Sequence, residues 1–385
     1  MCTTCIRSTA RFDPEFHRKH RKLLAGPLSE ASVRGYQDRM SLLVDQAIQK
    51  IGEEMRVKGA ADIFKWCSFM ATDIIAELTF GVSFGLLELG QKNDFIHLME
   101  QLGYLSIVRT TFPQLAYWAR TIPLPLFNQA VGVTRRISQC VSGLLGDPRC
   151  QVSSGSDALR QTIFTPLFQA KSEGKVTPEE VRNAGEVLLL GGSDTTAMTL
   201  IYFIWAVCTR PNVQAALVKE LQTLPDNFSD SDLKALHYLN NVIQETERLY
   251  TAAPAGLPRV VPAGGTELCG YRLDAGTTVC MQAFTLHRNP DVYPQPEEFD
   301  PSRWNEPTRG MIDSFIVFGK GGRNCIGIHF AQIELRLAAA KFFLTFPDAM
   351  VSALDGMNDD DMAPDIHFLL TPKGKRCLIE ISKNH

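Results

Sequence analysis

A mainly helical fold with a small β component is what this sequence predicts, on three observations. Apolar residues recur at helical spacing through the first two thirds of the chain. Residues 177–209 join a helix-start signal to a long apolar run. Beyond Pro254 the texture changes to short strand-like runs broken by glycine.

The elements follow in order. A short basic helix covers residues 14–24, and residues 27–58 continue helically with Val33, Met40, Leu43 and Ala47 on the apolar face. Apolar helices follow near 66–80 and, after the Pro123/Pro125 pair, over 124–145. Thr177-Pro178-Glu179-Glu180 supplies an N-cap Thr, a Pro at the first helical position and a Glu at the third, opening a helix over 177–209. That helix is apolar nearly all round, so it belongs in the core. Residues 212–224 and 232–250 have helical spacing. Strand-like runs come at 259–261, 268–273 and 277–281, glycines cluster over 319–327, and a last helix runs through Phe343. Residues 366–370 and 377–381 are expected to pair as a closing hairpin.

The 385 residues, 45% hydrophobic and 21% charged, have ordinary globular composition. A net charge of −3 gives no basic field for nucleic acid. Ten cysteines without a signal peptide point to a reducing compartment, and Cys2-Thr-Thr-Cys5 has no second pair at zinc spacing. The longest uncharged stretch, 195–209, falls short of the roughly 20 apolar residues a bilayer crossing needs. No repeat or linker divides the chain, so residues 1–385 read as one domain.

The most specific stretch is Phe318-Gly-Lys-Gly-Gly-Arg323-Asn-Cys325-Ile-Gly327. A cysteine among glycines before an apolar helix sits where amide N–H groups and the helix dipole favour a thiolate, with Arg323 adding positive charge. Gly319, Gly321 and Gly322 permit positive φ and close approach of something flat. A plain Gly-rich turn around a structural thiol is the bland alternative; GxxxxGK[ST] is absent, which removes a phosphate loop.

This loop resembles the haem-binding loop of the cytochrome P-450 family, F-G-x-G-x-R-x-C-x-G. The resemblance implies that Cys325 is the axial thiolate of haem iron, that Arg323 pairs with a propionate, and that Phe318 borders the cofactor. Three further stretches match the family. Glu245-Thr-Glu-Arg248 fits E-x-x-R and, at i, i+3, shares one helix face. Pro296-Glu-Glu-Phe299-Asp-Pro301-Ser-Arg303-Trp304 resembles the meander, whose Arg303 is implied to join Glu245 and Arg248 in a buried cluster under the haem loop.

Gly191-Gly192-Ser-Asp194-Thr195-Thr196 matches [AG]-G-x-[DE]-T-[ST]. Two glycines in a buried helix each cost about 1 kcal/mol relative to Ala. By resemblance, Gly191 and Gly192 let haem and O2 approach the backbone, while Asp194 and Thr195 deliver protons; a kinked core helix with Thr back-bonding is the alternative. In the basic helix, His17 stands where the family's W-x-x-x-R has Trp, and Arg21 holds the Arg, so both are expected at propionates. Arg259 falls where relatives place another propionate-binding Arg.

The resemblance covers nearly the whole chain and implies a cytochrome P-450 fold lacking its N-terminal part: the anchor, the first helices and part of the main sheet. The implied function is a haem-thiolate monooxygenase acting on a hydrophobic small molecule, in the style of fungal secondary metabolism. A haem-thiolate isomerase or dehydratase needing no reductase, and a non-catalytic haem-binding remnant, are the rivals; the Asp194–Thr195 pair favours oxygen chemistry. The implied cofactor is iron protoporphyrin IX, with electrons from NADPH through a separate reductase or a cytochrome b-type donor. Basic Arg18, Lys19 and Lys22, expected on the proximal side, suit an acidic donor. The expected location is intracellular, peripheral at the endoplasmic reticulum membrane.

Overall fold

The computed structural model describes residues 14–111, 114, 125–152 and 161–381; Cys2, Cys5 and Pro123 lie outside them. The long helix Pro178–Cys208 is the axis of the fold. Its start is fixed by a capping box. Thr177 Oγ1 accepts from the Glu180 N–H at 3.1 Å, and the Glu180 carboxylate accepts from the Thr177 N–H at 2.6 Å.

Helix Ile63–Phe80 packs along this axis, and the close approach is sequence-specific. A Cβ on Gly192 would stand 2.7 Å from Ile75 Cγ1, and one on Gly185 would meet Val141 and Phe80 at 3.0 and 3.1 Å. The two glycines lie two turns apart on the long helix. They let Ile63–Phe80, and at Gly185 also Pro125–Gly146, nest against it. By length and composition Pro178–Cys208 could cross a membrane, but 67% of its most apolar window is buried here, as suits a core helix.

Several boundaries differ from the sequence reading. The expected helix over 27–58 divides into Glu30–Arg34 and Gln37–Lys58, because the Gly35 N–H turns back to the Ser32 carbonyl at 3.0 Å and closes the first piece. The expected helix over 232–250 divides at Leu236, whose ψ of 110 is extended, into Asp230–Ala235 and His237–Leu249. Helices Leu86–Leu89, Asp94–Thr111 and Thr165–Ser172 lie in stretches given no element.

The closing hairpin does not form. Strand β9 (Leu378–Ile381) lies between β1 (Ala61–Asp62) and β6 (Ala349–Val351), with Ile379 opposite both Ala61 and Val351. Ile379 and Ala61 are fully buried, so this three-stranded sheet places apolar side chains in the core, which a terminal hairpin would not. Residues 364–372 instead form their own ribbon, β7 (Pro364–Ile366) with β8 (Leu370–Pro372). The remaining ribbons are β2 (Gly256–Val260) with β5 (Thr278–Gln282), and β3 (Thr266–Leu268) with β4 (Tyr271–Leu273).

Candidate functional site

The cysteine loop is built by two left-handed glycines and one tight hydrogen bond. Gly319 and Gly321 have φ of +68° and +73°. Gly322 does not use this freedom: it sits inside the 3-10 turn Gly321–Arg323, and only two of the three expected glycines are left-handed. The turn brings the Cys325 N–H back to the Phe318 carbonyl at 2.7 Å. Gly327 then caps helix Ile328–Thr345.

Cys325 is exposed, yet the protein mass around it raises its thiol pKa; the Gly327 N–H and the charge of Arg21 act in the opposite direction. This corrects the expectation of a lowered pKa with Arg323 as the neighbouring charge. Desolvation outweighs the helix terminus, and Arg21 is the cation that acts on the sulfur.

Arg21 reaches this loop from the basic helix Pro14–Ala25. Its guanidinium donates to the Asn324 carbonyl at 2.8 Å and to Asn324 Oδ1 at 2.6 Å. His17 lies one turn earlier, and its pKa is lowered by partial burial, then by Arg323 and Arg21, so the imidazole is shifted towards its neutral form by the two guanidiniums near it. The helix is also anchored to the long helix. His20 and Lys19 lie 3.0 and 3.5 Å from Glu180, the capping-box residue of the long helix.

On the long helix the space a Gly191 Cβ would take is open, with no atom within 4 Å. Gly192 is different. Its missing Cβ is occupied by Ile75, so it serves helix packing rather than approach of a ligand, and that expectation is corrected. Thr195 Oγ1 donates to the Gly191 carbonyl at 2.6 Å, the back-bond weighed as the alternative role. Half-buried Asp194 has its pKa pushed up to about 6, first by burial and then by the charge of Glu100.

Glu245 gathers five donors from four residues, among them Arg248 Nε, which donates to Oε2 at 2.9 Å. Arg248 Nη2 and Arg303 Nε donate to Oε1 at 2.8 and 2.9 Å, Trp304 Nε1 donates to Oε2 at 3.0 Å, and the Asp300 N–H donates to Oε1 at 2.9 Å. Arg248, itself fully buried, also donates to the carbonyls of His287, Pro296 and Glu298. Every charge is thus paired and hydrogen-bonded, the condition for burying it. Trp304, Asn324 and His287 are the members of this frame to which the sequence assigns no role; the first two lie inside the quoted motifs, which was the available signal.

Arg259 stands apart. It is exposed on β2, and among the described residues its side chain donates only to the Pro258 carbonyl, at 2.8 Å. Its strand neighbour Leu257, two residues away and on the same face, comes within 3.6 Å of where a Gly319 Cβ would be.

These residues suit a haem. An exposed thiol lies at a helix start. Gly191, Gly321 and Gly322 leave open space where side chains would stand, and Arg21 and Arg323 place positive charge close by. An exposed cysteine in a Gly-rich loop, together with a buried Glu–Arg–Arg cluster, is the combination expected of a haem-thiolate protein. The Cytochrome P450 family profile matches residues 3–378, and the chain belongs to that family.

Among curated relatives, the cytochrome P450 monooxygenase tazI of Aspergillus terreus is 42% identical over 371 residues, 96% of this chain and 76% of the relative. The cytochrome P450 monooxygenase azaI of Aspergillus niger is 35% identical over 390 residues, 96% of this chain and 83% of the relative. An averantin hydroxylase of Dothistroma septosporum is 29% identical over 342 residues, 87% of this chain and 64% of the relative. The chain is a cytochrome P450 monooxygenase, and the family implies haem with thiolate ligation, O2 and a redox partner.

Proposed function

We propose that this monooxygenase inserts one oxygen atom of O2 into an apolar small molecule of fungal secondary metabolism. The substrate R–H and O2, with two electrons and two protons, give R–OH and water. The similarity to Aspergillus and Dothistroma monooxygenases, one of them named averantin hydroxylase, supports the substrate class. NADPH supplies the electrons through a separate cytochrome reductase, for which exposed Arg18, Lys19 and Lys22 offer an acidic partner a docking face.

The haem carries the oxidation chemistry. Cys325 would hold its iron, and Arg21, Arg323, His17 and Arg259 would face its carboxylates. Gly191 leaves room for it beside the long helix. Asp194, its pKa raised to about 6, would take up and release a proton that Thr195 would pass on through its hydroxyl. The observation that carries this reading is the exposed Cys325 thiol, fixed by the bond to Phe318 and flanked by the Arg21–Asn324 contact. Reconstituting the chain with haem, reductase and NADPH tests it: NADPH oxidation matched by a hydroxylated product supports the reading. Haem binding with no NADPH consumption across apolar substrates would refute it.

A further inference from the structure

His287 is fully buried, and neither the loop nor the charge-cluster motif contains it. Its Nε2 lies 3.0 Å from the Ile316 main-chain nitrogen. A main-chain N–H can only donate, so Nε2 is the acceptor and the neutral ring carries its proton on Nδ1. That proton has two acceptors, Thr251 Oγ1 at 2.9 Å and the Arg248 carbonyl at 3.2 Å. Thr251 is oriented for this role because its own hydroxyl donates to the Glu247 carbonyl at 2.6 Å.

The ring cannot turn away. Phe315 stacks on it at 5.5 Å between centroids, and Tyr293 meets it edge-on at 6.4 Å. His287 is also tied to Arg248 through its carbonyl, which accepts from the guanidinium at 2.8 Å. On the other side, Ile316 lies two residues before Phe318, whose carbonyl accepts from Cys325.

We infer that His287 is a positioning residue: its neutral Nδ1–H imidazole joins the buried Arg248 to the segment 315–318 and so fixes where the Cys325 thiolate stands. The part that concerns the thiolate rests on the proposed ligand role of Cys325. The surroundings keep the ring neutral. Burial acts most strongly, and the cations Arg248 and Arg288 act with it against the carbonyls of Arg248 and Ser314, holding the pKa down at about 4. The neighbouring carboxylates are committed elsewhere, Glu245 to Arg248 and Glu297 to Arg288, and the Tyr293 phenol donates to the Met311 carbonyl.

The test uses the haem-loaded full chain with two readouts: amide exchange at Ile316, and the carbon monoxide difference spectrum of the reduced protein. His287→Phe keeps the ring contacts and removes both hydrogen bonds. It should fold with unchanged helix content, exchange Ile316 roughly three- to tenfold faster, and shift part of the carbon monoxide band away from its thiolate position. His287→Gln, which can place an acceptor near the Nε2 position, should restore both readouts, whereas His287→Asn, too short to reach Ile316, should not.

Native Ile316 protection and a native spectrum in His287→Phe would overturn the inference. If that variant does not accumulate, the Gln and Asn variants decide, and equal exchange and spectra in the two would overturn it. If Cys325 were not the ligand, Ile316 exchange would still respond while Cys325→Ser kept its band, so the two failures are distinguishable.

Discussion

Arg21 grips Asn324 at two points, the carbonyl at 2.8 Å and Oδ1 at 2.6 Å, across 303 residues of sequence. One contact thereby fixes the basic helix against the residue preceding Cys325. Both bonds involve a charged donor, so together they outweigh ordinary surface pairs. Arg21→Met should lower stability by about 2 kcal/mol, allowing for partial exposure, as read from the urea midpoint. Arg21→Lys should recover at most half, because an ammonium cannot reproduce the planar fork.

Glu245 should behave as a structural residue. Its carboxylate is the shared partner of Arg248 and Arg303, with Trp304 and the Asp300 N–H closing the remaining positions. Glu245→Ala leaves a fully buried guanidinium without its counter-charge and should cost about 3–5 kcal/mol, with haem incorporation collapsing in parallel. Arg303→Ala should cost less, since Arg248 keeps Glu245 paired. A haem-replete Glu245→Ala protein with an unchanged unfolding midpoint would contradict the cluster's role.

The parts of this site legible in sequence are those where one residue type is chemically required at a fixed spacing. Cys325, Glu245, Arg248 and Arg303 were marked by the resemblance of their motifs to those of a family, and the Thr177 capping box by spacing alone. Contacts that depend on which surfaces meet were not visible. Gly192 looks like a glycine left open for a ligand, and only the position of Ile75 shows that it seats a helix. His287 has no motif around it that announces a bond to Ile316, 29 residues on. The strand over 378–381 reads as half a hairpin because local pattern carries no information about Ala61, far earlier in the chain. Helix breaks at Gly35 and Leu236 failed for a related reason, since a turn of one or two residues hardly interrupts a 3.6-residue period.

Thr195 carries the proton-delivery proposal. Its hydroxyl donates to the Gly191 carbonyl at 2.6 Å, one turn back and beside the open space at Gly191. Thr195→Ala should still bind haem and substrate and still oxidise NADPH, with electrons leaving as hydrogen peroxide. Product formation should fall by up to about 10²–10⁴-fold. A product-to-NADPH ratio equal to that of the parent would confine Thr195 to its back-bond.

Glu247 gives a pH prediction with a definite sign. It is buried; burial pushes its pKa up to about 8 against the Gln332 side chain, which donates to it at 2.6 Å, and the charge of Arg336. A carboxyl raised on folding contributes stability that is full below its ordinary pKa of about 4.5 and is lost as pH climbs through 8. Glu247→Gln cannot titrate. Its stability relative to the parent should therefore rise between pH 5 and 8, by at most about 1.4 kcal/mol per pH unit, in urea unfolding at fixed ionic strength. A difference that stays constant or falls over this range would show that Glu247 is ionised in the folded protein.

The central claim, that Cys325 is the thiolate ligand of a haem, is tested most directly by the carbon monoxide difference spectrum of the reduced, haem-loaded chain beside its Cys325→Ser variant. The parent should show the red-shifted Soret band of thiolate ligation, and Cys325→Ser should retain little haem and show none of that band. The same red-shifted band in Cys325→Ser would contradict the assignment.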